Sequence, residues 1–279
     1  MPTIAITAIA VLAYLLATLS LYLRLVNSST ASAIAQSRYR GLLSHRFALT
    51  TLLLALLLHA TALWQQIEPL TTLNLTLFYA LSLAAWSINL LALIPPVCSR
   101  TDTPGLITYP IAMLSLLLAA TLSVEESHLA SLAAGVKLHI FLSILSYSLL
   151  SLAALQALLL AFQDSLLRRR RFLRAISLFP PLERMESSLF RTIGLGYILL
   201  TASLLSGATY LEDMVQQHLI HKTVLSIVAW LIFATLLWGR LSRGWRGATA
   251  IRWTLAGFIA LLLAYFGSKF VLELLLNRP

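Results

Sequence analysis

From Ile4 to Val26 the chain meets a single charged residue, Arg24, and apolar runs of similar length then recur along the sequence. The hydrocarbon core of a bilayer takes about 20 mainly apolar residues to cross, so such runs read as membrane spans. Eight are expected, at roughly 3–25, 47–67, 70–94, 106–123, 135–163, 189–211, 221–239 and 249–275. The fold class implied is all-α, a polytopic transmembrane helix bundle. No loop is long enough for a second domain, so residues 1–279 are expected to form one integral membrane domain. Composition agrees: of 279 residues, 59% are hydrophobic and 11% charged, against about 25% charged in a soluble domain. The Ala31-Ser32-Ala33 triplet resembles a signal-peptidase site. The run before it is too long for a signal core and lacks a basic start, so it reads as a retained first span.

The net charge of +10 raises the question of nucleic acid, but the placement of the charges answers it. Sixteen of the twenty basic residues fall in or at the edges of the first, third, fifth and seventh loops, with no aromatic-interleaved basic face. The positive-inside rule then puts the odd loops in the cytoplasm and both termini on the non-cytoplasmic side. The run Arg168–Arg171 in the longest connector, 164–188, reads as a topology anchor beside anionic lipid headgroups, and no nucleic-acid partner is expected. The one cysteine, Cys98, rules out an internal disulfide, a CxxC thiol pair and a CxxCH haem attachment. No nucleophile–base pair or phosphate-binding loop is present, so no catalytic role is expected.

Helical spacing puts polar and small residues on shared faces: Thr51, Ala55, His59, Ala62 and Gln66 in the second span, and Asn74, Phe78, Ser82, Trp86 and Asn89 in the third. His139, Ser143, Ser146 and Tyr147 do the same in the fifth span. Gly196, Ser203 and Gly207 form a small-residue stripe in the sixth, and Gly257, Ala260, Ala264 and Gly267 another in the eighth. Such faces avoid lipid and allow close helix approach.

Six histidines are present; His45 falls on the cytoplasmic side and the other five on the opposite side. His128 and His218 lie in outer loops, whereas His59, His139 and His221 lie within or at the edge of spans. Imidazole in hydrocarbon has to be paired, ligated or wet. Neutral imidazole is a standard axial ligand of haem iron, and Trp64, Tyr147 and Tyr210 sit at depths suited to packing a porphyrin. Zinc would want further Cys, Asp or Glu ligands nearby, and Glu125, Glu126, Glu212 and Asp213 are available only in loops. Each histidine could equally hydrogen-bond to a neighbouring span.

The segment Lys137-Leu138-His139 through Ser146-Tyr147 carries a resemblance, as do His221-Lys222-Thr223 to Trp230, Gly244-Trp245-Arg246-Gly247 and Tyr265-Phe266-Gly267. In this ordered set the chain resembles the cytochrome c assembly family, and within it the smaller HemX-like, YpjD-type branch of bacterial inner-membrane proteins. The resemblance implies a multi-pass inner-membrane protein that binds or handles haem (b-type, non-covalent), with other cytochrome c maturation proteins as partners. His139 matches the family histidine that precedes a tryptophan-rich outer loop, and His59 that of an early span. The loop at that position, Glu212–Ile220, has no tryptophan. Trp238 and the Leu276–Pro279 tail stand where larger members carry two further histidines. The expected iron ligands are therefore His139 and His221, with His59 behind them. Two alternatives stay open: a transport component whose polar stripes line a path, and a structural or regulatory subunit that has lost haem.

Overall fold

The computed structural model describes residues 2–29, 45–66, 77–94, 103–122, 134–169, 180–210 and 220–264. Among the described residues are eight helices and no strand. They are α1 Pro2–Ser29, α2 His45–Gln66, α3 Leu77–Ala92 and α4 Gly105–Leu122, then α5 Ala134–Arg169, α6 Leu182–Tyr210, α7 Ile220–Arg243 and α8 Gly247–Leu262. Six of these are long and apolar enough to cross a membrane, and α3 and α8 are shorter apolar helices. In hydrocarbon every backbone N–H and C=O needs an internal partner, which a helix supplies within its own segment. The chain is an all-α, polytopic membrane protein, as its apolar runs predict.

The helix bounds depart from the hydropathy reading where polar residues continue a helix beyond the bilayer. α5 has 36 residues, about 54 Å at 1.5 Å per residue, against a hydrocarbon thickness of about 30 Å. α6 starts seven residues before the apolar run, because Glu183, Arg184, Glu186, Ser187 and Ser188 make a polar first stretch that is helical nonetheless. The long 164–188 connector is thereby shortened from both ends. The start of the third span, Asn74, Arg170, Arg171, His128, His218, Gly267 and the last residues of the eighth span lie outside the described residues.

The chain divides into two compact units. The first takes α1 to α4 with the last two turns of α5, where Gln163 Nε2 donates to the Pro180 carbonyl at 2.9 Å. Its core is small: Ala13 and Ala17 of α1 meet Ala55 of α2, Ala85 of α3 and Ala112 of α4 around Tyr14, Leu52 and Leu56. Large residues face outward, among them Leu12, Leu16 and Leu19 on α1 and Leu53, Leu54 and Leu57 on α2. Lipid tails are as apolar as leucine, so burying leucine between spans gains little, whereas alanine lets the backbones come close and gain dispersion contacts. Polar side chains then stitch the helices. Trp86 Nε1 donates to the Leu56 carbonyl at 2.9 Å, and Asn89 Nδ2 donates to the Thr108 carbonyl at 3.2 Å.

The second unit takes α5 as far as Phe162, with α6, α7 and α8. Gly257 of α8 sits under the Phe233 ring of α7, where an added Cβ would lie 2.8 Å from it. The turn between α7 and α8 holds two glycines at positive φ, Gly244 (65°) and Gly247 (54°), a region closed to most side chains. Within it the Trp245 ring folds back over Gly239 and against Trp253, 5.5 Å between ring centroids, rather than standing free at the interface. Arg240 lies 4.6 Å over the Phe190 ring and donates to the Trp245 carbonyl at 3.1 Å.

Candidate functional site

His139 projects from the second turn of α5 onto the small-residue stripe of α6. The two helices run antiparallel. His139 meets Ser203, Ser206 and Gly207, then Ser143 meets Ser203, and further along Ser146 donates to the Gly196 carbonyl at 3.1 Å. The stripes read from the sequence are therefore the two sides of one contact. Gly207 makes room for the imidazole: an added Cβ would stand 2.9 Å from His139 Cε1 and 3.2 Å from Nδ1.

The hydrogen bonds assign the ring's protons. Nδ1 lies 2.9 Å from the Ser203 carbonyl, which can only accept, so the neutral ring carries its proton on Nδ1. Ser206 Oγ, 3.1 Å from Nδ1, donates to the same carbonyl at 2.8 Å. Ser143 Oγ donates to the His139 carbonyl at 2.7 Å and accepts from Ser203 Oγ at 2.7 Å, which commits its one proton. Its 3.5 Å separation from Nε2 is too long to matter. Nε2 is left as a lone-pair nitrogen on a half-buried ring whose tautomer and orientation are held from behind. A metal-binding histidine is typically held in this way, the other ring nitrogen donating to a carbonyl or carboxylate.

His59 has a different seat, in the first unit. It is fully buried, with Nδ1 3.0 Å from the Tyr14 hydroxyl of α1 and Nε2 2.9 Å from Ser82 Oγ of α3. Tyr14 also meets the ring edge-on, with planes at 84°. Both nitrogens are engaged, and because a hydroxyl can donate or accept, either tautomer is satisfied. Tyr14 was not anticipated from the sequence, where it sits in an otherwise apolar run. His221 lies in the first turn of α7, with its side chain outside the described residues, and His45 is exposed at the start of α2.

The aromatic residues expected near a porphyrin separate. Trp64 is 64% exposed, Tyr147 packs on Phe258 of α8 with centroids 5.9 Å apart, and the Tyr210 side chain lies outside the described residues. Another group escaped the sequence reading. Glu186 is the one buried carboxylate among the described residues, accepting from Gly247 N–H at 2.6 Å and from Arg246 Nε at 3.0 Å. It holds the Arg246 guanidinium above its usual range through that hydrogen bond. Nothing in the pattern of α6 separates Glu186 from the exposed Glu183.

Comparison with known proteins places this architecture. The family model described as cytochrome C assembly protein matches residues 3–276. The chain belongs to the cytochrome c assembly family. Within the family it is similar to the inner membrane protein YpjD of Escherichia coli (strain K12), at 36% identity over 234 residues covering 82% of this chain and 88% of that protein. It is also similar to the cytochrome c biogenesis protein CcsA of Microcystis aeruginosa, 26% identical over 280 residues, with 81% and 84% of the two chains covered. No solved structure shows a significant match. This member of the cytochrome c assembly family is a multi-pass inner-membrane protein, and the resemblance read from its motifs, to the YpjD-type branch, stands.

Proposed function

We propose that this protein binds haem non-covalently, as a b-type group or as cargo, in or beside cytochrome c maturation, and that it acts without catalysing a bond-breaking reaction. The observation that carries the reading is the state of His139. Its Nδ1 proton is committed to the Ser203 carbonyl and its Nε2 lone pair is left for a metal. Family membership supports the same chemistry.

His139 and His221 are the residues proposed to hold the iron. His59 ranks behind them, because it would first have to release Tyr14 or Ser82. When bound, haem would supply the iron porphyrin that maturation of a c-type cytochrome needs. This chain's contribution is to hold an imidazole in one tautomer, with Nε2 as its lone-pair nitrogen. Partners beyond haem would be other maturation proteins. The second reading, a family member that keeps the fold without the ligand, is favoured by one observation: the Glu212–Ile220 segment contains no tryptophan.

Purified in detergent from haem-replete cells, the protein is expected to show a Soret band that His139→Ala abolishes and His221→Ala weakens or shifts. A colourless protein, or a band indifferent to His139→Ala, overturns the proposal in favour of the second reading.

A further inference from the structure

Where α3 packs on α4 in the first unit, two buried polar atoms lie outside every hydrogen bond among the described residues. They belong to Asn89 of α3 and Thr108 of α4, which are 1% and 5% exposed. The Asn89 amide has only one workable orientation. Its Nδ2 donates to the Ala85 carbonyl at 2.9 Å and to the Thr108 carbonyl at 3.2 Å, and a carbonyl can only accept. Both amide protons are thereby used, and Oδ1 is turned away from them as an acceptor without a donor.

The Thr108 hydroxyl has the converse problem. A threonine inside a helix can send its proton to the carbonyl four residues back, as Thr18, Thr201 and Thr254 do here. For Thr108 that carbonyl belongs to Pro104, which already accepts from the N–H groups of Ile107 and of Thr108 itself, both at 3.0 Å. Two donors fill the two lone pairs of the oxygen. The hydroxyl is therefore left without its usual acceptor. Bulk solvent does not reach the pair: Ala85 and Ala112, one turn from each residue, are part of the buried core, with Leu93 and Tyr109 packed against it.

We propose that one buried water molecule bridges α3 and α4 at this point, accepting from the Thr108 hydroxyl and donating to Asn89 Oδ1. An acceptor lacking a donor and a hydroxyl lacking an acceptor stand on two helices already joined by the bond from Asn89 Nδ2 to the Thr108 carbonyl. Water fills both roles at once, and these two groups meet the lower end of the about two to four polar partners that a buried water takes. A cation could touch both oxygens but would leave the hydroxyl proton without an acceptor. Neither helix carries a carboxylate to balance its charge. The site is independent of haem and of His59, whose ring nitrogens are bonded to Tyr14 and Ser82.

The test is a crystal structure of the full-length protein grown from a lipid phase, at a resolution that shows ordered water; no haem is needed. A single density peak is expected within hydrogen-bonding distance of both Asn89 Oδ1 and Thr108 Oγ1. Replacing sodium salts by rubidium salts, whose stronger scattering would mark a cation, should leave the peak unchanged. Thr108→Val removes the hydroxyl at nearly constant shape and is expected to abolish the peak. If that variant does not fold, the wild-type crystals in the two salts carry the test. A direct bond between Thr108 Oγ1 and Asn89 Oδ1 overturns the proposal, as does a protein donor seated on Oδ1. So does a peak that strengthens in rubidium or one that persists in Thr108→Val.

Discussion

A hydroxyl beside an imidazole can donate or accept, whereas a carbonyl oxygen can only accept, and that difference separates the two histidines whose surroundings are visible. His59 sits between Tyr14 and Ser82 and is satisfied in either tautomer, so its ring serves to join α1, α2 and α3. His139 faces the Ser203 carbonyl and has one tautomer. Gly207 is the residue that lets it do so. Gly207→Ala would drive a methyl against the ring, and overpacking of this kind costs about 1–3 kcal/mol. The expected outcome is a lowered unfolding temperature in detergent, with any haem absorbance diminished. Gly194→Ala on the same helix is the control: nothing stands within 4 Å of its added Cβ, so the better helix former should leave stability unchanged or raise it. A Gly207→Ala protein as stable as the Gly194→Ala protein would mean that the ring is not seated where described.

Among the elements, α6 has two unlike ends. Its later turns carry the glycine and serine stripe that receives α5, and its second turn carries Glu186, which closes onto the start of α8. The sequence showed the first feature as spacing, since small residues repeating along one face have few other uses in a membrane. It did not show the second, because a carboxylate in a polar helical extension looks like a solvated one. The carboxylate makes two bonds of unequal value. Arg246 is about half exposed, and an exposed ion pair contributes little to stability. Stripping the Gly247 N–H of its partner costs about 1–3 kcal/mol if the group stays buried. Glu186→Ala should therefore destabilise the protein more than Arg246→Gln does, and Glu186→Gln, which keeps an acceptor oxygen, should fall near the milder variant. Thermal unfolding of the three proteins ranks them, and a reversed order would place the weight on the charge instead.

For the whole molecule, the inside-out use of residue size and the one-sided arginines carry the membrane argument together. Alanine and serine recur in the helix contacts beside buried leucines, and most of the large side chains that face outward are leucine and isoleucine, a distribution that lipid solvent tolerates. The arginines of loops five and seven give a proposed orientation, with those loops cytoplasmic and both termini outside. In a Cys98→Ala background, Ser177→Cys should react with an impermeant thiol reagent only from the cytoplasmic face, and Ser127→Cys only from the opposite face. Labelling in the reverse sense would invert the topology and place His139 at the cytoplasmic end.

Spans, fold class, family and the faces on which the polar residues lie were all determined by the sequence, because each rests on a local property. Apolar length against bilayer thickness, 3.6-residue spacing and the charge of a loop need no knowledge of neighbouring helices. What each face meets was decided only by tertiary structure. That His139 finds a carbonyl and a glycine, that His59 finds two hydroxyls, and that Arg240 reaches Phe190 while Arg246 reaches Glu186, are matters of helix register and rotation. A helix can slide or turn by one residue without changing its hydropathy, yet the same shift changes every partner its polar side chains can reach.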